Sequence, residues 1–162
     1  MVILSIDSGV EKTGYALFDK QTNGNTKFSY ITSGMIQTSK SLTTEKRLAE
    51  IYEELKKIIK KYKPELMVVE QLFFFKNAKT VIKVSQAQGA VLLLAAHEDM
   101  KVEFLTPLQI KQIVTGYGQS DKIAVQKMLK ITLGLDLELK QDDQADAIAC
   151  GLAYCYLNQN LI

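Results

Sequence analysis

Four acidic residues stand where a folded chain could gather them. Asp7 closes the apolar run 2–6, Glu70 closes the short apolar run 66–69, and Asp143 and Asp146 lie three apart in the helical segment that begins at residue 142. Open sheets build their sites at strand ends, and residues i and i+3 share one face of a helix. Four carboxylates with no arginine nearby repel one another, and a hard cation is the simplest remedy. Mg²⁺ takes oxygen ligands and keeps several waters, which suits phosphate chemistry. Singly, each acid has an ordinary role. Asp7 could cap the turn made by Ser8 and Gly9, Glu70 could be solvated, and Asp142 and Asp143 could complement the dipole of the helix they begin. Only the constellation points to chemistry.

Such residues need elements to hold them. The run 2–6 is nearly all apolar, as in a strand covered on both faces, and stops at the turn signal Asp7-Ser8-Gly9. Segments 13–18 and 28–36 read as strands joined by a turn at 21–25, an antiparallel meander in which the first strand is central. Leu48, Ile51, Leu55, Ile58, Ile59 and Tyr62 recur at helical spacing until Pro64. A buried strand at 66–69, a long helix over 76–97 and a fifth strand at 102–105 follow. Thr106-Pro107-Leu108-Gln109 places Thr at N-cap, Pro at N1 and Gln at N3 of a further helix. Gly116-Tyr117-Gly118 breaks it, helix resumes over 123–132, and a final helix spans 142–157. The order predicts an α/β fold, a mixed five-stranded sheet with helices on both faces.

The chain has 162 residues, 47% hydrophobic and 23% charged, the composition of an ordinary soluble globular protein. It is expected to form one domain over 1–162, with a core that needs no disulfide or structural metal. The apolar stretch 91–96 is too short to span a bilayer and the N-terminus lacks a signal pattern, so a cytoplasmic protein without a membrane partner is expected. Cys150 and Cys155, with no metal-ligand spacing around them, read as reduced, packed thiols. Net charge is only +2, with Arg47 the sole arginine. With the four site acids set aside, twenty basic groups face fourteen acidic ones, a footprint suited to a polyanionic partner. The lysine-rich run 56–63 reads as a solvated helix face, and His97 as a helix-end residue.

Several stretches carry a resemblance. Ile6-Asp7-Ser8-Gly9 with Thr13-Gly14-Tyr15-Ala16, then Val69-Glu70-Gln71-Leu72-Phe73 with Lys76-Asn77-Ala78, then Gln86-Ala87-Gln88-Gly89, are similar in order and spacing to the RuvC family of Holliday junction resolvases. Gln109-Ile110-Lys111-Gln112, Gly116-Tyr117-Gly118, Lys122, Val125-Gln126-Lys127-Met128 and Asp143-Gln144-Ala145-Asp146-Ala147-Ile148-Ala149 extend the similarity across nearly the whole chain. The resemblance implies an RNase H-like fold, a homodimer, and Mg²⁺-dependent nicking of two strands of like polarity at four-way DNA junctions and other branched DNA. The dimer contact is expected on the long helix around Gln86, Gly89 and Val91, where small and apolar residues permit close approach. The resemblance also implies two Mg²⁺ ions per site, with Mn²⁺ able to substitute, held by Asp7, Glu70, Asp143 and Asp146 as catalytic acids. The family's basic residues near the scissile phosphate fall on Lys111 and Lys122, and its DNA contacts on Phe73, Lys76, Lys111 and Lys122. Ser8 stands where the family commonly has Pro, and the chain stops soon after its last helix, without the basic tail of longer members. A short, lysine-rich member of this kind looks like a phage-encoded one, working in the host cytoplasm.

Three consecutive aromatics after a strand, Phe73-Phe74-Phe75, usually enter a core. Beside a metal site, Phe73 is read instead as a wedge against an unstacked base. Two competing readings can be weighed on the sequence. An actin-like ATPase or sugar kinase also uses Asp-x-Gly followed by Thr-Gly, but it closes two lobes over its nucleotide and this chain has length for one. A junction-binding protein of the same fold that no longer cleaves would have no need of all four acids.

Overall fold

The computed structural model describes residues 1–21, 27–72, 78–134 and 142–158. Strand β1 (Val2–Asp7) is the apolar run at the N-terminus, and its neighbours are β2 (Lys12–Gln21) and β4 (Leu66–Glu70). β2 runs antiparallel to β1 and to β3 (Lys27–Gln37), whereas β4 runs parallel to β1 and to β5 (Lys101–Leu105). The result is a mixed five-stranded sheet in the order β3-β2-β1-β4-β5, with β1 at the centre of the sheet; within the antiparallel meander the middle strand is β2 and not the first strand expected from the sequence, because β1 turns its other edge to β4. Strands β2 and β3 outrun the predicted 13–18 and 28–36. Their extra residues are mostly polar and pair with each other through the hairpin ladder, which needs no apolar side chain.

Helices α1 (Thr44–Tyr62) and α2 (Ala78–His97) cover one face of the sheet; α3 (Pro107–Thr115), α4 (Lys122–Leu133) and α5 (Asp142–Leu157) cover the other. α1 ends at Tyr62, two residues before Pro64, because proline cannot continue a helix. Lys63 adopts the left-handed conformation (φ 49°) and its N–H donates to the Ile59 carbonyl at 2.7 Å. Successive strand residues face opposite ways, so Leu4, Ile6, Met67 and Val69 meet α1 and α2, while Ile3, Leu66 and Val68 meet the helices of the second layer. Asp7 and Glu70 share the parity of Ile3 and Leu66, and so belong to the α5 face.

That face is packed unusually closely. Ala145, Ala147, Ala149, Gly151 and Ala153 give α5 a small-residue surface, and all are buried. A Cβ at Gly14 would lie 1.8 Å from the Asp143 carbonyl oxygen, and one at Gly151 would lie 2.3 Å from the Phe18 ring. Ser5, the one polar residue in the centre of β1, donates to the Ala147 carbonyl at 2.7 Å, fastening strand to helix. Cys150 and Cys155 are free and buried in this layer, where burial raises both thiols, Cys155 to about 12. His97 closes α2 and meets the Tyr52 hydroxyl through Nδ1 at 2.7 Å. Among the described residues no helix is long and apolar enough to cross a membrane.

Candidate active site

Asp7 is the last residue of β1 and pairs across the ladder with Gly14. Gly14 lies directly under the Asp143 backbone, so the absence of a side chain there brings the start of α5 down beside the Asp7 carboxyl. A second tie, from Gln144 Nε2 to Ser33 Oγ at 2.8 Å, holds the same helix start over β3. The turn after Asp7 is closed by Thr13, whose hydroxyl donates to the Gly9 carbonyl at 2.7 Å. Glu70 ends β4 opposite Leu105, and its carbonyl accepts from Gln88 Nε2 of α2 at 3.0 Å.

These placements crowd negative charge. Burial pushes the Asp7 carboxyl up to about 8, helped by Glu70, Asp146 and Asp143. Glu70 rises to about 7, through burial and then the charge of Asp146. Asp146 is also raised, first by burial and then by Asp142 and Asp143. All four acids are half-buried, which differs from the solvated role open to Glu70 on sequence alone. They do not form a finished cage: among the described residues, no three acidic, histidine or cysteine side chains stand ready to hold a metal ion. They adjoin one another by field, with Asp7 in the middle.

Two lysines answer this charge. The capping box of α3 forms as the sequence predicts, with Thr106 Oγ1 accepting from the Gln109 N–H at 3.1 Å and Gln109 Oε1 accepting from the Thr106 N–H at 2.9 Å. It sets the start of α3 and hence the position of Lys111 one turn later. Gly116 ends the helix at φ 81°, and Gln112 grips the turn, donating to the Gly116 carbonyl at 2.7 Å and accepting from the Gly118 N–H at 3.0 Å. Asp121 then caps α4, so that Lys122 opens that helix. Lys111 and Lys122 line one cleft of about 190 Å³ with Glu70, Asp146, Ile110 and Val125. Lys122 opposes the upward shift of Asp7, Glu70 and Asp146, and Lys111 that of Glu70 and Asp146.

The direct partner of Lys122 is a residue to which the sequence assigned no site role. Its Nζ donates to Asp142 Oδ2 at 3.0 Å, and that bond is the largest cause of its raised pKa. Asp142 thus tethers the lysine beside the acids instead of only answering the helix dipole. Ser5 and Gln88 were also missed as positioning residues; a serine in the middle of an otherwise apolar strand was the signal for the first. Asp143 does not line the lysine cleft; it lines a second groove with Gly9, Glu11, Lys12, Arg47 and Lys83. Phe73 and Lys76 lie outside the described residues.

Comparison with known proteins points one way. The family model described as Crossover junction endodeoxyribonuclease RuvC matches residues 3–155. A protein of that name from Fusobacterium nucleatum is 46% identical over 149 residues, covering 92% of this chain and 77% of the relative. Another from Thermosipho melanesiensis is 45% identical over 155 residues, covering 96% of each. Among solved structures, T. thermophilus RuvC in complex with Holliday junction substrate superposes with a TM-score of 0.88 at 27% identity, covering 98% of this chain and 95% of that one.

Proposed function

This chain belongs to the RuvC family of crossover junction endodeoxyribonucleases, and from that premise we propose that it is a metal-dependent nuclease that nicks four-way DNA junctions symmetrically, as a homodimer built from the one domain 1–162. The observation that carries the reading is Asp7, half-buried at the end of β1 among three other carboxylates, where burial and their charge push its carboxyl up to about 8. Lys122 supplies part of the positive charge this calls for at Asp7, and Lys111 part of it at Glu70 and Asp146. The rest fits a hard cation, because the donors are all carboxylate oxygens.

Asp7, Glu70, Asp143 and Asp146 would hold Mg²⁺, two ions per site, or Mn²⁺ in its place. Bound there, the ions would supply charge neutralisation at the scissile phosphate and acidify a water. Cleavage is hydrolytic: a water oxygen bonds to phosphorus as the P–O3′ bond breaks, leaving a 5′-phosphate and a 3′-hydroxyl. Asp7, central among the acids, orients the attacking water with Glu70. Lys111 and Lys122, along the adjoining cleft, stabilise the negative charge that develops on the phosphate oxygens. Phe73 follows Glu70 closely enough in sequence to stack on a base at the crossover, and Lys76 to meet a phosphate.

A two-fold junction calls for a two-fold protein. On α2, Ile82, Gln86, Gly89 and Leu93 are exposed and recur at i, i+4, i+7 and i+11, the spacing of a helix seam. Val91, which sequence reasoning puts on this contact, belongs to the core and is only 1% exposed. Gln86 and Gly89 remain on the outward face. The test is an immobile synthetic four-way junction beside linear duplex, with Mg²⁺ and with EDTA. Paired nicks in the junction alone, only with the metal, are expected. Binding without nicking would return the chain to a junction-binding role, and full activity from a species that sediments as a monomer at micromolar concentration would remove the dimer.

A further inference from the structure

The groove on the Asp143 side of the site takes no part in the reading above, yet it is built from basic residues. It has a volume of about 460 Å³ and is lined by Gly9, Lys12, Arg47, Lys83 and Asp143 among others. Its basic residues come from three elements: Lys12 opens β2, Arg47 lies in the first turns of α1, and Lys83 lies on α2. Arg47 is the only arginine in the chain. Its Nε donates to Thr38 Oγ1 at 2.8 Å, and Thr38 Oγ1 in turn donates to the Val10 carbonyl at 2.6 Å, so the guanidinium is fixed to the loop that follows Asp7. Its Nη2 is buried without a hydrogen-bond partner among the described residues. A charged donor with no partner in the protein is costly to keep, which favours an acceptor supplied by a bound molecule.

The surrounding charges leave that acceptor one chemistry. Glu11, the acid nearest this loop, is taken by Lys40 at 3.1 Å. Glu11 and Asp143 are the two acids lining the groove, and with Glu11 paired to Lys40 the balance against Lys12, Arg47 and Lys83 remains positive. A fixed guanidinium flanked by two lysines suits a phosphate, which accepts from both edges of the fork and tolerates several cations.

We propose that this groove is a phosphate track for the DNA strand being cut, in which Arg47, Lys83 and Lys12 hold backbone phosphates on the Asp143 side of the site while Lys111 and Lys122 face the strand on the other side. The proposal rests on the junction-nuclease reading, and it makes Arg47 and Lys83 determinants of how the strand is aligned past Asp7.

Binding of a four-way junction in EDTA, measured across a salt series, tests it. Lys83→Ala and Arg47→Gln should each weaken binding about 5-fold or more near physiological salt and lower the slope of log affinity on log salt by about one. Lys60→Ala, on the solvated face of α1, removes the same charge and should leave the slope alone. Arg47→Lys should recover part of the affinity, since it restores a cation without the fork. If Arg47→Gln fails to fold because the Thr38 tie is lost, Lys83→Ala decides, since Lys83 is an exposed side chain on α2 that lines the groove. Wild-type affinity and slope in Lys83→Ala overturn the track. A wild-type protein that binds junctions without cutting them removes the nuclease reading but leaves this comparison of slopes to decide the groove; a wild-type protein that binds no junction overturns both.

Discussion

Leu4, Ile6 and Leu17 meet Ile51, Leu55 and Leu94 on one face of the sheet, large side chain against large side chain. On the other face Gly14, Ser5 and Ala16 meet Ala145, Ala147 and Gly151, and the backbone of α5 rests almost on the strands. The first kind of packing tolerates adjustment, because aliphatic side chains can shift to fill a small change. The second does not, because backbone has nowhere to go. All four site acids belong to the second face. Carboxylates that repel one another must be positioned by something stiffer than side-chain packing, and the small-residue contact between α5 and the sheet provides it.

The sharpest way to break this comparison is chemical. Asp7→Asn should lower single-turnover cleavage by about 10³-fold or more, since it removes the acid at the centre of the site from a metal-dependent hydrolysis. Junction binding should be intact or tighter, because a repelling charge is gone and no phosphate contact is lost. Cleavage near the wild-type rate would refute the placement of Asp7.

A matched pair of variants then compares the faces directly. Gly14→Ala adds a Cβ 1.8 Å from the Asp143 carbonyl oxygen, so the start of α5 must lift and carry Asp143 and Asp146 with it. Leu55→Ala empties a fully buried site on the opposite face and should cost about 2–5 kcal/mol. At a temperature where both are folded, Gly14→Ala should lose cleavage by about 100-fold, the scale of a misplaced reacting group, and Leu55→Ala by no more than about 2-fold. Equal losses of activity would mean that the two faces hold the site equally.

The same contrast decides what could be read from the sequence. The aliphatic face was legible residue by residue, because Ile51, Leu55 and Ile59 repeat at helical spacing and Leu66 to Val69 form an uninterrupted apolar run. The capping box at Thr106 was legible because its side chains and backbone lie within four residues of each other. Asp7, Glu70, Asp143 and Asp146 could be picked out by their places at element ends. What escaped were contacts between residues far apart in sequence: Lys122 with Asp142, Ser5 with Ala147, Arg47 with Thr38 across the end of a strand. No periodicity encodes such pairs. Val91 was misassigned because α2 is apolar on more than one side, and the face that meets the core can be told from the outward one only once Leu94 and Ala95 are seen packed on it.

The lysines test the electrostatic half of the site. Lys111→Ala and Lys122→Ala should each slow single-turnover cleavage by about 10- to 100-fold while affinity changes far less, if they act on charge that develops in the transition state. Lys122→Ala should be the more severe, because the field of Lys122 reaches Asp7, Glu70 and Asp146, whereas that of Lys111 reaches only the last two. If both merely hold phosphates, affinity and salt slope fall and the rate at saturation is unchanged.

The smallest expected effect concerns stability without metal, and it again separates the faces. In the folded chain Asp7 is raised from 3.8 to about 8 and Glu70 from 4.5 to about 7, each chiefly by burial. Between those limits the folded protein holds protons that the unfolded chain has released. Stability in EDTA must therefore fall as pH rises from about 4 to about 8, because the unfolded state binds fewer protons throughout that window. Both groups are partly solvated, so the loss should be about 1–3 kcal/mol, well below what the full shifts would give, or roughly 2–10 °C in Tm. Asp7→Asn should flatten most of this slope, and Mg²⁺ should restore stability at pH 8 in the wild type by binding the ionised acids. Leu55→Ala should lower the whole curve with far less change of slope, since it removes packing and no titrating group. Thermal melts of the three proteins at pH 5.5 and pH 8, with EDTA and with Mg²⁺, provide the comparison. A metal-free wild type that gains stability between those two values would mean that Asp7 and Glu70 are not held buried beside one another in the folded chain.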